Sequence, residues 1–362
     1  MKLVDLIVGA RPNFMKIAPI IRALSTRKNR TLSYRLIHTG QHYDPRLSDT
    51  FFEQLEIPRP DENLNVGSGT QAEQTASIMT KYEALLVDGG ISNACLVVGD
   101  VNSTMACAIS AQKLGVPVAH VEAGIRSGDW SMPEEINRLV TDSITDWFFT
   151  TSQNANQNLR RCGVDDSRIF FVGNTMIDTL LANLEKLKEP SLFSTLGLQP
   201  NNYFVATLHR PANVDRELEF FDLLTAIGKG ARDTPVVFPV HPRTAKTLLS
   251  ISGLPGNIHF VDPQPYLEFN YLVKNAKAVI TDSGGVTEEA TVIDIPCMTL
   301  RDNTERPETV SMGTNELLGT NPDAIVPAMD RVFADKWKRG QVPPLWDGRT
   351  GERIVTHLEA LL

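Results

Sequence analysis

The strongest constraint on this chain is a pattern repeated along most of its length. Short unbroken apolar runs alternate with helical stretches, and nearly every run ends in a polar or glycine-rich cluster. Strands apolar on both faces and separated by helices read as a parallel sheet covered on both sides. The expected strands are 3–8, 34–38, 96–99, 116–121, 147–150 and 169–172, with helices over 13–24, 71–87, 103–114, 133–145 and 152–161. The pattern restarts after a helix over 176–188 and a proline-containing polar stretch up to Asn202. Strands at 203–207, 236–240, 258–261, 278–281 and 297–300 follow, separated by helices over 217–230, 245–252, 266–275 and 286–292. The reading is an α/β fold of two doubly wound Rossmann-like domains facing a cleft. The first spans 1–174, with the terminal helix 352–362 docking back on it, and the second spans 175–351.

Length agrees, since 362 residues make about two domains. Acidic residues outnumber basic ones, 43 to 35, giving a formal charge of −8. This balance, with no long basic run, speaks against a nucleic-acid partner or an anionic membrane surface but leaves room for a local basic pocket. No apolar stretch reaches the ~18 residues of a membrane helix, and Met1–Asp5 lacks the form of a signal peptide. Cys95, Cys107, Cys162 and Cys297 have no C-x-x-C spacing and read as reduced core thiols of a cytoplasmic protein, with no metal site.

In open α/β sheets ligands bind beyond the carboxyl ends of the strands. The clusters there are Gly9-Ala10-Arg11-Pro12 with Lys16, Asp100, Glu122-Ala123-Gly124, His209-Arg210, His241-Pro242-Arg243, Asp262-Pro263-Gln264, Asp282-Ser283-Gly284-Gly285 and Arg301-Asp302 with Glu305-Arg306. Their recurrence in both halves predicts one wide polar cleft. Asp282–Glu289 has two readings. It is a capped helix start with Asp282 or Ser283 as N-cap, or a phosphate site in which Gly284 and Gly285 let backbone N–H groups approach an anion and Glu289 meets a ribose. It is neither a Walker loop nor G-x-G-x-x-G, so nicotinamide and flavin lose their usual signature. Arg11, Lys16, Arg210, Arg243, Arg301 and Arg306 are either diphosphate cations or ordinary solvated charges.

Asp100, Glu122 and Glu134 are candidates for proton chemistry. Ser131-Met132-Pro133-Glu134 also fits a capping box, so Glu134 has a structural alternative. His120 shares a strand face with Glu122 and reads as a satisfied strand histidine. His209, at a strand end, suits acid–base work or a phosphate contact. No G-x-S-x-G elbow is present, which argues against serine-nucleophile chemistry.

These stretches, together with Thr39-Gly40-Gln41-His42, His120–Asp129, Pro133-Glu134-Glu135-Ile136-Asn137-Arg138, Val172–Thr175 and Arg301–Glu308, make the chain resemble non-hydrolysing UDP-N-acetylglucosamine 2-epimerases from end to end. The resemblance implies a glycosyltransferase-B-like fold, a homodimer, a UDP-sugar substrate and no redox cofactor. It also implies interconversion of UDP-N-acetylglucosamine and UDP-N-acetylmannosamine through a 2-acetamidoglucal, for surface-polysaccharide precursors. By position, Asp100, Glu122, Glu134 and His209 match catalytic residues. Arg11, Lys16, Gln264, Phe269, Ser283, Gly284, Gly285, Glu289 and Arg306 match residues that hold UDP. Gln41, His42, Arg210 and His241 match positions associated with activation by substrate in bacterial members. Asn13, Pro211 and Ala212 depart from the common pattern. The competing readings are a 2-epimerase of UDP-2,3-diacetamido-glucuronate, a hydrolysing 2-epimerase, a glycosyltransferase of the same fold and a non-catalytic nucleotide-sugar regulator.

Overall fold

The computed structural model describes residues 1–28, 30–40, 54–240 and 242–362, and of Arg11, Pro242 and Arg243 it describes the backbone alone. Gln41, His42 and His241 lie outside the described residues. Two compact units are present, Met1–Ala182 with Pro344–Leu362, and Asn183–Pro343. Each is a wholly parallel α/β sandwich, the fold class expected above.

The first sheet consists of β1 (Lys2–Val8), β2 (Leu32–His38), β3 (Glu62–Asn63), β4 (Ala94–Val98), β5 (Val118–Val121), β6 (Trp147–Thr150) and β7 (Ile169–Phe171). Its order is β3-β2-β1-β4-β5-β6-β7. The flanking helices are α1 (Arg11–Thr26), α2 (Gln71–Asp88), α3 (Asn102–Lys113), α4 (Pro133–Ile144), α5 (Gln153–Arg161) and α6 (Thr175–Asn183). Every residue of β4, Ala-Cys-Leu-Val-Val, is buried, as helices on both faces require. Ile78, Tyr82 and Leu86 of α2 pack with Cys107 and Ala111 of α3 over one face of this sheet.

The second sheet consists of β8 (Phe204–Thr207), β9 (Val236–Pro239), β10 (Ile258–Val261), β11 (Ala278–Thr281), β12 (Cys297–Thr299) and β13 (Asn315–Leu317), in the order β10-β9-β8-β11-β12-β13. Its helices are α7 (Ser191–Thr195), α8 (Pro211–Val214), α9 (Glu217–Ala231), α10 (Pro242–Leu248), α11 (Tyr266–Lys274), α12 (Gly284–Val292), α13 (Pro307–Ser311) and α14 (Ile325–Phe333). Phe204, Phe220 and Phe238 are fully buried on one side and Tyr203, Val237 and Val279 on the other.

The terminal helix α15 (Thr350–Leu361) belongs to the first unit and packs on α1. Gly351 comes so close to the Pro19 backbone that a Cβ would lie 2.5 Å from its carbonyl oxygen. The units part in sequence after Ala182, later than the expected 174/175. The reason is α6: Thr179 Oγ1 donates to the Met15 carbonyl and Gly351 N donates to Asp178, which ties the helix to α1 and α15. It ends at Asn183 rather than at Lys188. Cys95, Cys107 and Cys297 are buried, but Cys162 is exposed at the end of α5 and is not a core thiol. No helix among the described residues is long and apolar enough to cross a membrane.

In each sheet the chain winds outward in opposite directions from one strand pair, β1/β4 and β8/β11. Loops leaving such a pair diverge and open a crevice at the carboxyl ends. The polar clusters of the sequence follow these strands.

Candidate functional site

In the first unit, the β1–α1 turn and the end of β4 meet at the switch point. Asn13 is buried; its Oδ1 accepts from Ala10 N at 2.8 Å and its Nδ2 donates to the Val98 carbonyl at 2.9 Å. The atypical Asn13 thus joins the two loops. Gly99 has φ +72, and a Cβ there would lie 3.1 Å from Lys16 Nζ. Lys16 reaches across to Glu122, Nζ to Oε2 at 2.7 Å, with both side chains nearly closed to solvent. Glu122 follows β5 with φ +68, a left-handed conformation that costs a non-glycine residue on the order of 1–3 kcal/mol.

Asp100 follows β4. Arg138 of α4 donates to its Oδ2 from Nη2 at 2.6 Å and Nε at 3.1 Å, while Asn137 Nδ2 donates to its carbonyl at 2.9 Å. Glu134 sits half-buried in the first turn of α4 and makes no hydrogen bond among the described residues. The expected capping box is not formed. The N-cap is Met132, which places Glu135 rather than Glu134 at the third position. Ser131 Oγ turns instead to Asp129. Glu135 accepts from Ser127 N, Gly128 N and Arg138. Burial pushes its carboxyl up, but these donors prevail and hold it below its ordinary value. The motif Pro133–Arg138 therefore divides its work: Glu135 fixes the preceding loop, Asn137 and Arg138 fix Asp100, and Glu134 stays available.

In the second unit, His209 follows β8 and Asp282 follows β11. The His209 Nδ1 lies 2.9 Å from Asp282 Oδ1, and the carboxylate is fully buried. Asp282 also accepts from His209 N, Arg210 N and Asn213 Nδ2. Burial raises its carboxyl, but His209 and the amide donors outweigh this and keep it below its ordinary value. Asp282 is thus no helix cap. The N-cap is Ser283, whose side chain makes no capping bond.

Ser283 lines a pocket of ≈ 210 Å³ with His209, Gln264, Phe269, Pro239 and Val286. Gly284 and Gly285 open α12 beside it, where free N–H groups favour an anion. Gln264 Nε2 donates to the Asp262 carbonyl. Glu289 is buried and accepts from Tyr266 Oη at 2.9 Å; burial pushes its carboxyl up to about 7. Arg306 Nε donates to Glu288 in a buried ion pair. Arg301 grips Glu305 with two nitrogens, and Arg210 donates to the Asp282 carbonyl while approaching Glu305 at 3.4 Å.

The structure thus brings Lys16 to Glu122, and His209, Gln264, Phe269 and Ser283 to one pocket. It surrounds Arg301 and Arg306 with carboxylates of their own unit, so both are at least partly neutralised in place. Sequence reasoning missed Asp282 as the partner of His209, Arg138 and Asn137 as the holders of Asp100, and Tyr266 beneath Glu289. The spacing of Glu134 and Arg138, one helical turn apart, was the available signal for α4. Nothing local signals the others.

The model of the family described as UDP-N-acetylglucosamine 2-epimerase matches residues 24–359. A UDP-N-acetylglucosamine 2-epimerase of Methanocaldococcus jannaschii is 42% identical over 363 residues, covering 97% of each chain. A crystal structure of the enzyme from that organism in complex with UDP-GlcNAc and UDP aligns with TM-score 0.89 at 40% identity, covering 99% of this chain and 100% of that one. A UDP-2,3-diacetamido-2,3-dideoxy-D-glucuronate 2-epimerase of Pseudomonas aeruginosa is 39% identical over 359 residues, covering 98% of this chain and 99% of its own. With carboxylates crowding one switch point and a histidine and a glycine-headed helix at the other, and with likeness running the length of the chain, this protein belongs to the UDP-N-acetylglucosamine 2-epimerase family.

Proposed function

We propose that this chain interconverts UDP-N-acetylglucosamine and UDP-N-acetylmannosamine at C2 without net hydrolysis. A carboxylate takes the C2 proton, the C–H electron pair becomes the C1=C2 bond, and the C1–O pair leaves with UDP. Return of UDP to C1 and of a proton to the opposite face of C2 completes the inversion. No redox equivalent is needed at any step.

The observation that carries this reading is the trio Asp100, Glu122 and Glu134. They stand at the ends of adjacent strands and at the head of α4, in three different settings: paired to Arg138, paired to Lys16, and without a hydrogen bond among the described residues. Two faces of C2 call for more than one proton-handling group, and differing environments separate acid from base. In the second unit, the pocket with Ser283, Phe269 and the head of α12 suits a uridine diphosphate, with Glu289 for ribose hydroxyls. His209 is tethered through Nδ1 to Asp282 and lines the same pocket, which suits it to meet the diphosphate. The family resemblance further assigns Arg11, Lys16 and Arg306 to UDP. The resemblance noted above further supports a cytoplasmic homodimer that supplies surface-polysaccharide precursors, with Gln41, His42, Arg210 and His241 as a regulatory set.

In D2O, UDP-N-acetylglucosamine will gain deuterium at C2 as UDP-N-acetylmannosamine accumulates. Release of free N-acetylmannosamine and UDP instead would establish the hydrolysing reaction. The Pseudomonas aeruginosa relative is almost as similar as the first and gives a second reading, epimerisation of UDP-2,3-diacetamido-glucuronate. Running both sugars in one assay decides between them.

A further inference from the structure

His120 lies in β5 with its ring fully buried. Its Nε2 is 2.9 Å from the Gly99 carbonyl oxygen and its Nδ1 is 2.7 Å from Asp142 Oδ1. A carbonyl oxygen only accepts, so Nε2 carries a hydrogen. Asp142 Oδ2 accepts from Gly124 N at 3.0 Å and meets Arg126 Nη1 at 2.6 Å. A carboxyl so engaged is anionic. Burial drives it toward the neutral form, but His120 and Arg126 outweigh burial and hold it below its ordinary value. Nδ1 faces Oδ1 of this anchored carboxyl, so the ring is held from both sides. Asp142 from α4 is the charged side chain bonded to the ring, Arg126 from the loop after β5 pairs with that carboxylate, and β6 contributes Phe148 beside the ring in register.

The placement gives this group a use. The β4–β5 ladder ends with Gly99 N donating to the Val121 carbonyl, after which Glu122 turns into the left-handed region. The imidazole adds one more rung beyond the last backbone bond, and Asp142 pins Gly124 and Arg126 on the far side of Glu122. The residue next to Gly99 is Asp100.

We propose that Asp142 is a positioning residue that acts through His120 to set the spacing of the Asp100 and Glu122 carboxylates. This rests on the proton-transfer reading of those two residues.

The test has two arms. In histidine-¹⁵N-labelled wild-type protein, the His120 ring, assigned by its loss in His120→Gln, will show a hydrogen on Nε2, the nitrogen that faces the Gly99 carbonyl. A ring without a hydrogen on Nε2 overturns the proposal, and this arm needs no variant of Asp142 to fold. In the second arm, Asp142→Asn will lower kcat for C2 deuterium exchange about 10²-fold, as expected for misplacement near 1 Å, while KM stays near the wild-type value. A folded Asp142→Asn with wild-type kcat overturns it equally. If wild-type protein exchanges C2 hydrogen of neither UDP-sugar, the functional reading fails and takes the positioning role with it, while the ring spectrum still decides whether His120 bonds the Gly99 carbonyl.

Discussion

His209 and Asp282, separated by 73 residues in sequence, meet with Nδ1 and Oδ1 2.9 Å apart at the switch point of the second sheet. The carboxylate is sealed from solvent while the imidazole is 41% exposed, so one partner anchors and the other faces outward. Asp282→Asn preserves size but lets the side-chain amide donate toward Nδ1, which favours the wrong tautomer. A comparable change in a histidine–aspartate pair costs on the order of 10⁴ in kcat. We expect a loss of 10²-fold or more in epimer formation, read by proton NMR of the UDP-sugar, with little change in KM. Unchanged kcat would exclude His209 from the chemistry.

Lys16 and Glu122 form a buried pair. Removing one member of such a pair costs about 3–5 kcal/mol, while replacing both can be nearly neutral. Lys16→Met should therefore lower thermal stability strongly, and Lys16→Met with Glu122→Gln should restore most of it. Neither protein should exchange the C2 hydrogen. Stability recovered together with activity would separate Glu122 from proton transfer.

Glu289 titrates near 7 in the folded chain against an ordinary value of 4.5. The folded state holds its proton longer than the unfolded chain, so the contribution of Glu289 to stability is fully present below pH 4.5 and is lost as pH rises to about 7. A shift of that size is worth about 3 kcal/mol. Urea unfolding at pH 5 and pH 8 should show this decline in the wild type and much less of it in Glu289→Gln. Equal declines in both proteins would remove Glu289 as the source.

Arg306 was expected to hold a diphosphate, yet it is bonded to buried Glu288. Arg306→Ala should then destabilise the second unit by about 3–5 kcal/mol, with Glu288→Gln as a partial rescue. A purely ligand-binding arginine would instead raise KM and leave the melting temperature alone.

Alternation of apolar runs and helices was enough to read the architecture, because strands buried on both faces are mostly apolar, with isolated exceptions such as Asp5 and His120. Two edge strands escaped: Glu62–Asn63 is short and polar, and Asn315–Leu317 has only one apolar residue. The short helices at Ser191–Thr195, Pro211–Val214 and Pro307–Ser311 are too brief to show a period. The strand-end polar clusters were legible in the sequence, and the structure places them at the carboxyl ends of the two sheets. Their pairings were not legible, since His209–Asp282 is created by the neighbouring strands β8 and β11 and Lys16–Glu122 by α1 and the end of β5, each far apart in sequence. The capping box at Ser131 failed for a local reason: its hydroxyl found Asp129 first.

Glu122 also bears on how this position can change over generations. Its left-handed backbone is best tolerated by glycine, asparagine and aspartate. None of these has the length to bring a carboxylate to Lys16 at 2.7 Å. Residues with the right reach find the backbone uncomfortable, and residues comfortable there fall short. Sequence drift at this point is therefore blocked from both directions, so any route to a different chemistry on this scaffold has to rebuild the turn and the lysine together.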